Sequence, residues 1–134
     1  GSEVFNCASA TMFNSVFDGC TSLEEVGKNM LVSPVKLTSV ANLFRDCGML
    51  RSVPVSLFDE AAKLKTLTST FQGCASLEGE SPYTVVDGVK YHLYDRTAEN
   101  AAASGLTAIT AAKSSFAGCT KLSDYDKIPT TWKE

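Results

Sequence analysis

One histidine, one tryptophan and four prolines are all that this 134-residue sequence holds of those types, and the scarcity of histidine alone removes several functions. A Ser-His-Asp or Cys-His arrangement has only His92 to be built on, and no nucleophile is placed beside it, so catalytic residues are not expected. No Cys-x-x-Cys pair occurs among the five cysteines, so a zinc site would need distant thiols plus that one imidazole, and no metal is expected. A phosphate-binding glycine loop is also missing, and no cofactor is implied. Lys and Arg number 12 against 15 Asp and Glu, for a net charge of −3, and they are scattered, which argues against a nucleic-acid partner. No apolar run approaches the roughly 18 to 20 residues of a membrane span, and no charged-then-apolar leader opens the chain. Gly1-Ser2 reads as an expression-vector remnant, and the natural N-terminus is expected upstream, so the missing leader says nothing about location.

What is present is a folded composition: 44% hydrophobic and 20% charged residues, in a length that suits one domain able to bury roughly two-thirds of its unfolded surface. Within it a signature recurs four times, as Phe17-Asp-Gly-Cys20-Thr-Ser-Leu23, Phe44-Arg-Asp-Cys47-Gly-Met-Leu50, Phe71-Gln-Gly-Cys74-Ala-Ser-Leu77 and Phe116-Ala-Gly-Cys119-Thr-Lys-Leu122. The copies start 27 residues apart (44−17 and 71−44) and then 45 (116−71), which is one period plus an 18-residue insertion. Upstream of each signature the apolar steps are three and four, as in Leu37, Val40, Phe44 and Cys47, or Ile109, Ala112, Phe116 and Cys119. This spacing predicts a helix face in every copy, ended at the glycine beside the cysteine.

After the signature, Leu23 to Val26, Leu50 to Val53 and Leu122 to Tyr125 read as short extended stretches able to stack in parallel, and Met30-Leu31 and Leu57-Phe58 as the start of a helical turn. The expected fold class is therefore α/β: a leucine-rich-repeat solenoid of about four coils, helix, strand and turn in each, with a β-hairpin insertion before the last repeat. The single domain 1–134 divides into repeats around 12–31, 37–58, 64–77 and 109–129, with the insertion at 78–108. Glu3 to Thr11 reads as a degenerate extra copy, with Phe5 in the place of Phe58 and Cys7 outside the cysteine register.

The phrase Phe-x-Gly-Cys-x-Ser-Leu, followed by x-x-Val-Pro and Leu-Phe, resembles the BspA-like leucine-rich repeats of bacterial surface proteins. Phe17 to Leu23, Phe44 to Phe58, Phe71 to Leu77 and Phe116 to Pro129 carry the resemblance, about three-quarters of the chain. It implies an exported protein displayed at the cell surface, often lipid-anchored through a part that lies N-terminal to this sequence, acting as an adhesin or of unknown function. The family motif assigns no binding residue to the insertion.

Inside the insertion, Tyr83 to Val86 and Val89 to Tyr94 flank Asp87-Gly88, a hairpin signal of the type I′ kind, and Thr97 to Ser104 suits a helical turn or two ended at Gly105. Two readings of its aromatics stand side by side. Either the hairpin and the Ile128 to Trp132 tail cap the apolar end of the array, or Tyr83, Tyr91, His92, Tyr94 and Trp132 form a platform for a sugar or peptide. Cys20, Cys47, Cys74 and Cys119 are expected as buried free thiols, since bridges along a stack would distort its spacing. The acid pairs Glu24-Glu25, Asp59-Glu60 and Asp124-x-Asp126 are expected to face solvent and to form no site. The functional expectation is a non-catalytic interaction module contacting a host protein, a glycan or a neighbouring surface component, and the alternative is a structural spacer holding an N-terminal domain away from the cell surface.

Overall fold

A computed structural model describes residues 5–134. Gly1-Ser2, and Glu3 and Val4 of the expected degenerate copy, lie outside the described residues. The helices predicted ahead of each signature are not there. Around Phe44 the N–H groups of Leu43, Arg45 and Cys47 donate three residues back, to the carbonyls of Val40, Asn42 and Phe44. The N–H groups of Val40, Asn42, Phe44 and Asp46 donate instead to Thr66, Thr68, Thr70 and Gln72 of the next copy. Half of the backbone bonds thus close tight turns and half leave the segment, whereas an α-helix keeps an unbroken four-back ladder.

The residues that forbid the helix recur with the signature. Ser15 and Gly19, Asn42 and Asp46, Ser69 and Gly73, and Ser114 and Gly118 all have positive φ, between 56° and 85°. A right-handed helix cannot hold two left-handed residues four positions apart, because each non-glycine one sets its Cβ against the following carbonyl. Chained three-residue turns reproduce apolar steps of three and four, so the periodicity that predicts a helix is satisfied by turns.

The α/β leucine-rich-repeat solenoid of about four coils is accordingly not the architecture. Among the described residues the α-helix is limited to α1, Ala101–Ser104, with 3-10 turns at Leu93–Asp95, Tyr125–Lys127 and Thr130–Trp132. The strands form two separate two-stranded sheets: β1 (Phe5–Asn6) parallel to β2 (Leu31–Val32), and β3 (Tyr83–Val86) antiparallel to β4 (Val89–His92). The extended stretches expected after each signature shrink to single parallel bridges, Glu25 with Ser52 and Gly79 with Leu122. The helical turn expected at Met30-Leu31 is instead the start of β2, where Leu31 pairs with Phe5.

What the four signatures build is a core column. The rings of Phe17, Phe44, Phe71 and Phe116 lie near-parallel at centroid spacings of 5.7, 5.4 and 5.2 Å. Trp132 continues the column beyond Phe116 at 6.3 Å, and Phe5 meets Phe17 edge-on at the other end. Each fully buried ring contributes roughly 1.5 to 3 kcal/mol by burial, and a further 0.5 to 1.5 kcal/mol per aromatic pair is a typical magnitude. Beside the rings the cysteines point inward as thiols. Cys47, Cys74 and Cys119 donate S–H to the carbonyls of Phe17, Phe44 and Phe71, at 3.1, 3.1 and 3.0 Å. All five cysteines are unbridged, and of the four in register only Cys20 is not fully buried.

The insertion follows its sequence signals closely. Asp87 (φ 50°) and Gly88 (φ 79°) make the tight turn between β3 and β4, and Gly105 (φ 71°) ends α1. The second strand is shorter than the expected 89–94, because Leu93 begins a 3-10 turn. Arg96, 2% exposed, fastens the insertion to the third copy, donating to the carbonyls of Ala61 (2.8 Å) and Phe58 (2.9 Å) and to the Thr84 hydroxyl (3.3 Å). Burial lowers its pKa to about 10, with the nearby Asp59 charge acting in the opposite direction.

Candidate functional site: the outer face of the insertion hairpin

Alternation along the hairpin decides which side chains it displays. In the register Tyr83 to His92, Thr84 to Tyr91, Val85 to Lys90 and Val86 to Val89, residues directly opposite share a face. Thr84 and Tyr91 point inward and are buried. Tyr83, Val85, Lys90 and His92 share the outer face. Val85, 57% exposed, lies toward the tip, and the Lys90 ammonium sits 4.3 Å above the Tyr83 ring. His92 packs between Tyr83, at 5.4 Å, and Tyr94, which stacks on it at 4.9 Å with the planes 8° apart.

Beneath these rings lies a polar network. The two His92 ring nitrogens face carboxylates, Nε2 to Glu80 at 2.5 Å and Nδ1 to Asp95 at 3.2 Å, with Asp124 3.7 Å from Nε2. A neutral imidazole donates from one ring nitrogen, an imidazolium from both. Lys90 reaches the same Glu80 carboxylate at 3.1 Å. Burial raises the Glu80 pKa, but the hydrogen bonds from His92 and Lys90, helped by their charges, outweigh it and leave the carboxyl below its ordinary value. Burial raises the Tyr94 phenol well above its ordinary value, and the Asp124 charge it donates to, at 3.0 Å, adds to the effect.

Asp124 corrects an expectation. It faces inward rather than toward solvent, accepting hydrogen bonds from the Ser81 N–H (2.9 Å), the Ser81 hydroxyl (2.5 Å) and Tyr94. A buried carboxylate persists only when its oxygens are satisfied, and these three donors do so while tying the start of the insertion to the last copy. Glu24, Glu25, Asp59, Glu60 and Asp126 are exposed as expected.

Of the five residues singled out from sequence, the structure therefore unites three, Tyr83, His92 and Tyr94, on one surface. Tyr91 is turned into the interior, and Trp132 stands on Phe116 at the end of the ring column. Lys90 and Val85 belong to the displayed face and were legible in principle, since period-two alternation from Tyr83 selects them. Glu80, from the preceding loop, and Asp124, from the last copy, carry no local sequence signal that would join them to His92.

Both His92 nitrogens are engaged with carboxylates, and Ser81 is fully buried and donates its hydroxyl to Asp124. Among the described residues no group of three His, Cys, Asp or Glu side chains is arranged to hold a metal ion, and no helix is long and apolar enough to cross a membrane. A surface groove of about 480 Å³ lies elsewhere, between the last signature and the tail, with Ile109, Lys113 and Trp132 in its walls. Comparison with protein-family models, with curated proteins and with solved structures finds no match for this chain.

Proposed function

We infer that this chain is a non-catalytic interaction module, contacting a host protein, a glycan or a neighbouring surface component through the outer face of its hairpin. The observation that carries this reading is the contiguous strip of partly buried rings Tyr83, His92 and Tyr94, with the exposed Lys90 and Val85 alongside, on a hairpin immobilised by Arg96 and Asp124. Flat rings with polar edges give contact area at small entropic cost, and a preorganised face loses little freedom on binding. The four signatures and their resemblance to BspA-like repeats support placing the chain at a bacterial cell surface as part of an exported protein, lipid-anchored through a preceding part.

A screen of the purified chain on glycan and extracellular-matrix arrays, beside a Tyr83→Ala, Val85→Ser variant, tests the reading. Binding that the variant loses supports the hairpin face. Binding that the variant keeps rejects that face, and the absence of any binding favours the alternative, a structural spacer. The mixed, mostly small side chains at the exposed bridge positions, such as Arg51-Ser52 and Glu78-Gly79, are the observation on the spacer's side.

A further inference from the structure

We propose that the partner taken by the hairpin's outer face is an arginine-bearing segment of another protein, and that Lys90 occupies the guanidinium's place until that segment binds. This rests on the interaction reading above and names the ligand chemistry of the same site. A cation is already seated there. The Lys90 ammonium stands 4.3 Å above the Tyr83 ring and lies 3.3 and 3.1 Å from the two Glu80 carboxylate oxygens. A ring face and a carboxylate that converge on one point attract a cation through the ring quadrupole and the full charge together. The neighbouring charges favour a ligand of the same sign. Asp95 and Asp124 stand with Glu80 around His92, and among the described residues Lys90 is the one lysine or arginine paired with any of the three. Arg96 is buried, and its terminal nitrogens donate to Ala61, Phe58 and Thr84 instead.

Lys90 is held loosely enough to yield. Its side chain is 45% exposed, and ion pairs and ring contacts made at that exposure are weak, so displacing it sets a ligand back by only a few-fold. A guanidinium does more with the same two groups. The single ammonium is shared between both Glu80 oxygens, whereas a guanidinium sets one N–H on each and lays its plane along the Tyr83 ring. Val85, directly opposite Lys90 in the hairpin register and exposed, gives the aliphatic stem of the arginine a surface to lie on. A neutral glycan would use the rings without the charge, so the carboxylates select the protein segment over the sugar.

Titration of the full chain with a blocked tri-arginine peptide, followed through the amide NMR signals of Tyr83, Val85 and Lys90, tests this, with the uncharged citrulline counterpart alongside. The tri-arginine peptide is expected to shift those signals and the citrulline peptide to leave them in place. Lys90→Met, which removes the seated cation at an exposed position, is expected to tighten binding about five-fold. Lys36→Met, an exposed turn lysine of another copy that changes the net charge equally, is expected to leave binding unaltered. Glu80→Gln, in a chain that melts as the unaltered one does at acid pH, is expected to weaken binding about ten-fold. Equal affinity of Lys90→Met and Lys36→Met overturns the proposal, as does equal binding of the citrulline peptide or the lack of any shift in the hairpin signals. Failure here is distinguishable from failure of the interaction reading. An array ligand that needs Tyr83 and Val85 yet is not displaced by tri-arginine removes the arginine partner and leaves the hairpin face, whereas one that the Tyr83→Ala, Val85→Ser variant still binds removes the face itself.

Discussion

Gly73→Ala isolates what the turn ladder demands of its glycines. Gly73 has φ +80°, and a Cβ there would stand 2.5 Å from the Asp46 carboxylate Oδ1 and 3.2 Å from the Asp46 Cα. Gly118, one copy later, has φ +85° but no crowding, a Cβ there meeting Gly73 backbone atoms at an ordinary contact distance of 3.8 Å. Gly118→Ala therefore reports the left-handed backbone alone, a cost of about 1 to 2 kcal/mol. Gly73→Ala carries the same cost plus crowding. The Asp46 carboxylate can rotate away, but its Cα cannot, and forcing a methyl into a packed junction costs about 1 to 3 kcal/mol more. In a domain of this size 1 kcal/mol moves the melting midpoint by roughly 4 °C, so the two variants should separate clearly in thermal or urea unfolding followed by circular dichroism. Asp46→Gly in the Gly73→Ala background should recover part of the difference, since it removes the carboxylate and leaves the close Cα. Equal destabilisation by Gly73→Ala and Gly118→Ala would refute the junction geometry.

Two further outcomes follow from the buried groups. Burial raises the Cys47 and Cys119 thiols to about 11 and about 12 and the Cys74 thiol higher still, so alkylation of the native protein at mildly alkaline pH should modify Cys20, the half-buried member of the column, and leave the other three until unfolding; mass mapping that finds Cys74 labelled in the native state would contradict the column. Glu80 has a folded pKa below its ordinary value, so its contribution to stability is present above the unfolded value of about 4.3 and is lost as pH falls through the folded one. Glu80→Gln should thus lower the urea midpoint at about pH 7 and have little effect at about pH 2, and an equal effect at both would remove the His92 and Lys90 contacts as the cause.

The sequence by itself determined the recurrence, the inward residues and the insertion. Phe, Cys and Leu at a 27-residue interval had to meet their own equivalents, because one copy cannot cover its own apolar face, and Asp87-Gly88 and Gly105 specify positive φ through the residue types that tolerate it. The tertiary structure alone decided whether steps of three and four meant helix or turn. Ser15, Asn42, Ser69 and Ser114 are ordinary polar residues by composition, and only the junction with the next copy, which draws alternate N–H groups out of the segment, holds them left-handed and excludes the helix. The candidate site divides in the same way. Tyr83, Lys90 and His92 share a face through local alternation, whereas Glu80, Asp124 and Arg96 reach the hairpin and the residues flanking it across gaps of 12 to 43 residues that no local pattern encodes. Burial turns Tyr91 inward and fixes Asp124 beneath the rings, for burial and charge pairing are properties of the packed whole and not of the neighbouring residues in the chain.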